Sequence, residues 1–167
     1  MDTATLRALQ APLKQKYRDH PDTARIASRA EVVLDPTQIV ALLPTNVPRV
    51  AGLHPAAGGT GAHACSGDML LEALAACAGI TLMAVATSMG ARLTGGRIVA
   101  EGEWDARGTL AVDKTAPVGI RDIVLTFTLE GDLDDPTRQR LVQLTERYCV
   151  VLATLRDPPT FRVVISP

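Results

Sequence analysis

The feature that most constrains the fold is a long run of small and apolar residues between Ser66 and Gly90. Ser66 is a favourable N-cap, a carboxylate at Asp68 suits the first turn, and Gly90 is a favourable C-cap, so the run predicts one long helix. A helix that is apolar nearly all round is buried on most sides. We therefore expect a central core helix, with Cys77 near its middle and facing a mostly apolar wall.

Two ordinary interpretations of this helix have to be weighed first. The run is long enough to span a bilayer, but Glu72 lies inside it and no Lys/Arg cluster or aromatic belt flanks it, which disfavours a membrane span. A cysteine in an Ala-rich core helix is more often an inert small hydrophobe than a reactive thiol. From the residues alone, both an inert and a reactive Cys77 remain open.

Composition limits the classes of protein that this chain can belong to. Its 167 residues predict one domain. A net charge of -1 and an aromatic content of 3% argue against a nucleic-acid-binding protein. Three cysteines do not make a disulfide scaffold, and the first residues lack the apolar region of a secretory signal. We expect a cytoplasmic protein with reduced thiols.

Periodicity organises the rest of the chain. Residues 1–22 are predicted to be an N-terminal helical extension, and residues 23–167 the main domain. Alternation of apolar and polar side chains predicts strands, with a hairpin formed by the first two. The predicted strands cover 25–34, 39–43, 97–107, 122–130 and a last short one at Phe161, Val163 and Ile165.

The C-terminal helix contains a second cysteine of interest. Asp134 and Pro136 predict its start. The β-branched pair Val150-Val151 indicates a break between two helical pieces. Such a break would put Cys149 at the N-terminus of the second piece, where the helix dipole favours a thiolate.

The segment 49–65 is rich in small residues and is predicted to be a mobile loop near an active site or interface. Its glycines, 58 to 61, lack the Lys-Ser/Thr end of a phosphate-binding loop. His54, His63 and Cys65 are candidate metal ligands, but no second pair at zinc-site spacing accompanies them. We expect no metal and no cofactor.

The element order, with strands on both sides of the long helix, predicts an α+β architecture in which an antiparallel-rich sheet wraps a buried central helix. One small sheet does not cover so apolar a helix. A second copy across a two-fold axis is its natural partner, so we expect an isologous homodimer.

Two motifs now point to a family. Asp68-Met-Leu-Leu-Glu-Ala-Leu-Ala-Ala-Cys77 resembles the central-helix motif of the OsmC/Ohr family of thiol-dependent hydroperoxide reductases. Arg147-Tyr-Cys149-Val-Val-Leu-Ala-Thr-Leu155 is similar to the second-cysteine helix of that family. The strand and helix order fits from about residue 25 onward.

The resemblance implies an OsmC-like fold, an intertwined homodimer and a pair of redox-active cysteines. It assigns Cys77 as the peroxidatic thiolate and Cys149 as the resolving thiol, with an organic hydroperoxide as substrate and a dithiol as reductant. The family also places an Arg by the thiolate and a Glu at the entry to the central helix. Arg49 and Asp68 are the nearest candidates here, and Val150 stands where the family usually has Pro.

The resemblance therefore predicts an antioxidant peroxidase that reduces organic hydroperoxides to alcohols, without nucleic acid or membrane partners. An alternative keeps the fold without efficient catalysis and uses the interface pocket to bind a small molecule. A third hypothesis is metal binding through Cys65, Cys77, His54 or His63. Cys65 is an extra thiol, which we expect to be a bystander in its loop.

Overall fold

The computed structural model describes residues 2–5, 8, 11, 19, 33–35, 40–43, 49–110 and 113–166. Its elements in chain order are the strands β1 (Val33–Asp35), β2 (Val40–Leu43) and β3 (Arg49–Gly52), a 3-10 turn (Pro55–Ala57), strand β4 (Ala64–Cys65), helix α1 (Ser66–Met89), strand β5 (Arg92–Glu103), helix α2 (Ala106–Thr109), strand β6 (Arg121–Asp132), and the helices α3 (Asp135–Tyr148) and α4 (Val150–Arg156). Residues 3–5 are helical, and most of the predicted N-terminal helix lies outside the described residues.

The chain divides into two compact units. The first unit comprises Met1–Leu6, Ala73–Val99 and Thr126–Pro167, and the second comprises Arg7–Glu72 and Ala100–Leu125. The long helix and the two long strands each contribute residues to both units.

One face of α1 forms the core of the first unit. Leu74, Ala78, Leu82 and Ala86 recur every four residues and are buried, as expected for one stripe of a helix. Leu82 and Ala86 pack with the fully buried Leu141 of α3. The partly buried side chains around them are Val85, Ala91, Leu93, Ile98, Phe127, Leu129 and Leu133. Helix α1 is long and apolar enough to cross a membrane, but this packing makes it a core helix.

The C-terminus of α1 has the predicted glycine cap. Gly90 adopts a left-handed conformation (φ 68°), and its N–H donates to the carbonyl of Thr87 at 3.1 Å. The N–H of Ala91 donates to the carbonyl of Ala86 at 2.9 Å. This is the Schellman pattern, in which glycine at the left-handed position avoids the clash of a Cβ.

The opposite face of α1 differs from the expectation of burial on most sides. Ile80 and Met83 are 66% and 55% exposed, and the small Ala73 and Ala76 on the same face are also exposed. These four positions follow the 3–4–3 spacing of one helical stripe. Within a single chain, α1 is therefore covered along one face and bare along another.

A four-stranded sheet, in the order β1-β2-β3-β4, lies in the second unit. Strands β1 and β2 are antiparallel, with Val33 opposite Leu42 and Asp35 opposite Val40. This confirms the predicted pairing of the first two strands, although residues 25–32 of the predicted first strand lie outside the described residues. The prediction of a loop over 49–65 is wrong at both ends. Strand β3 pairs antiparallel with β2 and parallel with β4. The prediction failed because small side chains carry no strand pattern, whereas the strands form through hydrogen bonds between backbones.

Strands β5 and β6 form a two-stranded sheet. The prediction over 122–130 is confirmed by β6. The prediction over 97–107 is wrong at both ends, since β5 begins at Arg92 and ends at Glu103, and Ala106 begins a short helix. The first part of β5 was not predicted because Gly95 and Gly96 interrupt the alternation of apolar and polar side chains. A Cβ on Gly96 would lie 2.3 Å from the carbonyl oxygen of Thr128, so the close approach of the strands requires a glycine there.

The predicted C-terminal strand is not formed. Residues 157–166 have no helix or strand assignment, and Phe161, Val163 and Ile165 are 85%, 92% and 92% exposed. Alternation alone does not make a strand, because a strand also needs a neighbour whose backbone groups complete its ladder.

Candidate functional site: two cysteines at a helix junction

Cys149 forms the junction between α3 and α4. Its backbone is extended (φ -71°, ψ 110°), so it ends one helix and begins the next. Its N–H donates to the carbonyl of Thr145 at 2.8 Å, and its carbonyl accepts from the N–H of Ala153 at 2.9 Å. The predicted break is therefore confirmed, one residue before Val150.

Four interactions lower the pKa of the Cys77 thiol in α1. Two come from the backbone N–H groups of Val150 and Val151, in the first turn of α4. The side chains of Cys149 and Thr81 supply the other two. Thr81 lies four residues after Cys77 on the same helix, which is the spacing at which two helical side chains meet. The half-buried Cys77 thiol is thus surrounded by donors from two helices.

These donors favour the thiolate of Cys77. Burial is the largest single influence and raises the pKa of Cys77, but the hydrogen bonds from Val151, Cys149, Val150 and Thr81 together outweigh it. The net result is a pKa below the ordinary cysteine value. The physical cause is that N–H and O–H donors bind the charged sulfur more strongly than the neutral thiol.

Cys149 shows the opposite behaviour. It is fully buried, and burial raises its pKa; the N–H of Leu152 lowers the pKa, and the neighbouring Cys77 raises it again. The net direction is upward. The α4 amides of Leu152 and Val151 do lower the pKa of Cys149, but burial and the neighbouring Cys77 outweigh them, so the predicted thiolate at Cys149 is not favoured.

The two thiols consequently differ in chemistry although each influences the pKa of the other. Cys77 has a lowered pKa and is partly open to solvent, which are the properties of a nucleophilic cysteine. Cys149 is buried and stays protonated to higher pH. The sequence places Thr81 one helical turn after Cys77, but sequence reasoning counted it as part of a mostly apolar wall and gave it no role.

Arg49 and Asp68 lie in the second unit, whereas Cys77 and Cys149 lie in the first. Arg49 belongs to β3, and its side chain is outside what the structure describes. Asp68 is an exposed residue in the first turn of α1. Their partnership with the Cys77 thiolate stays a prediction.

The other candidate residues precede α1. His54 begins the 3-10 turn, and Cys65 ends β4 immediately before Ser66. Over the described ranges, no cluster of three or more His, Cys, Asp or Glu side chains is arranged to hold a metal ion. Gly58 and Gly61 have left-handed backbones (φ 92° and 77°), which assigns them to turns.

Comparison with known structures supports this architecture. An OsmC-like protein from Mycoplasma pneumoniae superposes with a TM-score of 0.65 at 15% identity, covering 80% of this chain and 89% of its own. An organic hydroperoxide resistance protein OsmC from Legionella pneumophila gives 0.62 at 15% identity, covering 80% and 93%. The organic hydroperoxide resistance protein OhrB of Bacillus subtilis gives 0.52 at 20% identity, covering 78% and 93%. At these identities the similarity establishes the fold.

Sequence comparison adds the family. No curated protein sequence matches the chain significantly. The family model described as OsmC-like protein matches residues 59–164, a stretch that contains both Cys77 and Cys149 and exceeds half of the chain. With its α+β fold and these structural neighbours, the chain belongs to the OsmC-like protein family.

Proposed function

We propose that this protein is a thiol-dependent peroxidase that reduces organic hydroperoxides to alcohols, with Cys77 as the attacking thiolate and Cys149 as the resolving thiol. One observation carries the proposal: Cys77 and Cys149 are close enough to influence each other, and the pKa of Cys77 is lowered by Cys149, Thr81 and amides of α4 while the pKa of Cys149 is raised. This difference in pKa makes Cys77 the thiol that attacks the peroxide and keeps Cys149 protonated during that first step.

The reaction needs two steps at the protein and one with an external reductant. The Cys77 thiolate attacks one peroxide oxygen, the O–O bond breaks, and the alkoxide takes up a proton and leaves as alcohol. Cys77 is then a sulfenic acid. The sulfur of Cys149 attacks it, a disulfide forms, and water leaves. A dithiol reductant transfers two electrons by thiol–disulfide exchange and restores both thiols.

Apolar surroundings favour alkyl hydroperoxides over hydrogen peroxide. Ile80, on the turn after Cys77, is apolar and largely exposed. An alkyl or aryl substituent gains free energy by covering such a surface, and hydrogen peroxide has no such group. Following the family resemblance, we assign Arg49 as the cation that assists the thiolate and Asp68 as the carboxylate at the entry to α1.

We further propose that the working form is an intertwined homodimer. The exposed stripe of Ala73, Ala76, Ile80 and Met83 on α1 is apolar, and monomeric proteins seldom leave such a helix face in water. The C-terminal segment with Phe161, Val163 and Ile165 has the strand pattern without a strand partner among the described residues. A second copy of the chain accounts for both features.

The expected compartment is the cytoplasm, where thiols such as Cys77 and Cys149 are kept reduced.

Steady-state turnover tests this function. With a dithiol such as dihydrolipoamide as reductant, we expect faster consumption of cumene hydroperoxide than of hydrogen peroxide. A monothiol such as glutathione should support less turnover, because the second thiol of a dithiol completes the exchange without a second encounter. Equal and slow consumption of both peroxides with either reductant would instead favour a small-molecule binding protein with the same fold.

A further inference from the structure

A cavity in the second unit lies outside the proposed peroxidase chemistry. It has a volume of about 270 Å³, and Cys77 and Cys149 are not among the residues that line it. Its walls are mainly apolar and include Leu53, Trp104 and Ile120, with His54 and Cys65 as polar or reactive groups. Apolar walls with a few convergent polar groups are the usual properties of a small-molecule site.

The strand pairing brings the two chemically distinctive residues to the same end of the sheet. Gly52 of β3 is the register partner of Cys65 in the parallel pair with β4. His54 follows Gly52 by two residues and therefore lies beyond the same end of β3. Cys65 and Ile120 both line the cavity, and a Cβ on Gly67 would lie 3.6 Å from the Cys65 sulfur and 3.6 Å from the side chain of Ile120, so the thiol and this apolar side chain flank the same glycine.

His54 is held in place by its own loop. Its Nδ1 accepts the N–H of Ala56 at 3.0 Å, and its carbonyl accepts from Ala57 at 2.8 Å and from Gly59 at 3.0 Å. Since Nδ1 is an acceptor, the neutral ring carries its proton on Nε2. The ring also meets Trp104 edge-on, with centroids 5.2 Å apart and an interplanar angle of 88°, a favourable aromatic geometry.

We propose that this cavity is a binding site for compact aromatic molecules that carry one neutral hydrogen-bond acceptor. Trp104 and the aliphatic walls cover the ring of the ligand, and the Nε2–H of His54 donates to its acceptor. The volume is slightly below the usual range for drug-sized ligands, about 300–1,000 Å³, so the ligand is the size of a single substituted ring. The site is independent of the peroxidase proposal, because it uses neither Cys77 nor Cys149.

Trp104 makes the proposal directly testable, since it is the one tryptophan of the chain. Its indole N–H gives a single, unambiguous signal in a ¹H–¹⁵N correlation spectrum. Titration with acetophenone should shift this signal to saturation, with a dissociation constant of about 1 mM or tighter for so small a ligand. α-Methylstyrene, which has nearly the same shape with a methylene group in place of the carbonyl oxygen, should bind several-fold more weakly.

Two neighbouring alanines offer a matched pair of variants. Ala57 lines the cavity, whereas Ala56 is exposed in the same 3-10 turn and does not. Ala57→Leu should fill the cavity and abolish the saturable shift, and Ala56→Leu should keep it. An unchanged titration in a folded Ala57→Leu variant, or no saturable shift in the original chain, would overturn the proposal.

Protection of Cys65 locates the ligand without any variant, so the test survives if Ala57→Leu does not fold. Acetophenone at saturation should slow the alkylation of Cys65 by iodoacetamide several-fold, with the rate at Cys77 unchanged, as quantified on the separate peptides by mass spectrometry. A saturable indole shift with no protection of Cys65 would put the ligand elsewhere and contradict the proposal.

Discussion

Cys77 and Cys65 are both partly exposed thiols, yet their surroundings differ in kind. Two backbone N–H groups, a hydroxyl and a second thiol lower the pKa of Cys77, whereas Cys65 lines a mainly apolar cavity together with Ile120. The first environment stabilises a negative charge on sulfur and offers a partner for a disulfide. The second offers volume and an aromatic wall. Reactivity is thus determined by the donors around a thiol rather than by exposure alone.

The largest effect should come from removing the sulfur at the donor-rich site. Cys77→Ser should abolish hydroperoxide reduction, because a serine hydroxyl is not ionised near neutral pH and is not oxidised to an equivalent of sulfenic acid. Ala84→Ser, on the half-buried side of the same helix, is the matched control and should retain turnover. Peroxide consumption in the presence of a dithiol measures the activity of both variants. Turnover by Cys77→Ser would show that another thiol attacks the peroxide.

Removing the partner thiol should separate the two steps. Cys149→Ser should still consume one equivalent of hydroperoxide and then stop with a sulfenic acid at Cys77, since no second sulfur is present to form the disulfide. Trapping with dimedone followed by peptide mass spectrometry detects that product. Sustained turnover at the original rate with dihydrolipoamide would show that Cys149 is not the resolving thiol.

A smaller effect should come from the hydroxyl of Thr81. Thr81→Val removes one donor to the Cys77 sulfur while keeping the shape of the side chain, and a hydrogen bond to a charged group contributes about 1.5 kcal/mol or more. The alkylation rate of Cys77 at pH 7 should fall about tenfold, and Thr81→Ser should restore most of it. If the valine variant reacts as fast as the original chain, the backbone N–H groups of α4 alone stabilise the thiolate.

The pH profile gives the finest distinction. The lowered pKa of Cys77 means that its thiolate is already present at a pH where an ordinary cysteine is protonated, and the raised pKa of Cys149 has the opposite effect. Alkylation of Cys77 should therefore reach half its maximal rate at lower pH than a free thiol, and alkylation of Cys149 at higher pH. Peptide-resolved alkylation between neutral and alkaline pH measures both curves, and coincident curves would contradict the asymmetry.

Local patterns predicted much of the fold. Ser66 and the cap at Gly90 predicted the two ends of α1, Asp134 predicted the start of α3, and Val150-Val151 predicted the break at Cys149. These features depend on residues close in the sequence. Strand β3 and the first part of β5 were missed because small residues carry little periodicity, and the C-terminal strand was wrongly predicted because pairing depends on a neighbour rather than on alternation.

The site was less predictable than the fold. The resemblance identified the cysteines and indicated that Cys149 lies near Cys77. The sequence of α4 alone does not show which side chain its first N–H groups face. Those of Val150 and Val151 lower the pKa of Cys77, some seventy residues earlier in the chain. The cavity is assembled from residues between Gly52 and Ile120, so its aromatic pair of His54 and Trp104 has no sequence signature.

The most direct test of the central claim is a single-turnover experiment on the fully reduced protein with less than one equivalent of cumene hydroperoxide. Peptide mass spectrometry would then locate the oxidation among Cys65, Cys77 and Cys149. We predict a disulfide between Cys77 and Cys149, with Cys65 still a free thiol. Oxidation at Cys65 while Cys77 remains reduced would contradict the account, because it would show that the donors around Cys77 do not select the reactive sulfur.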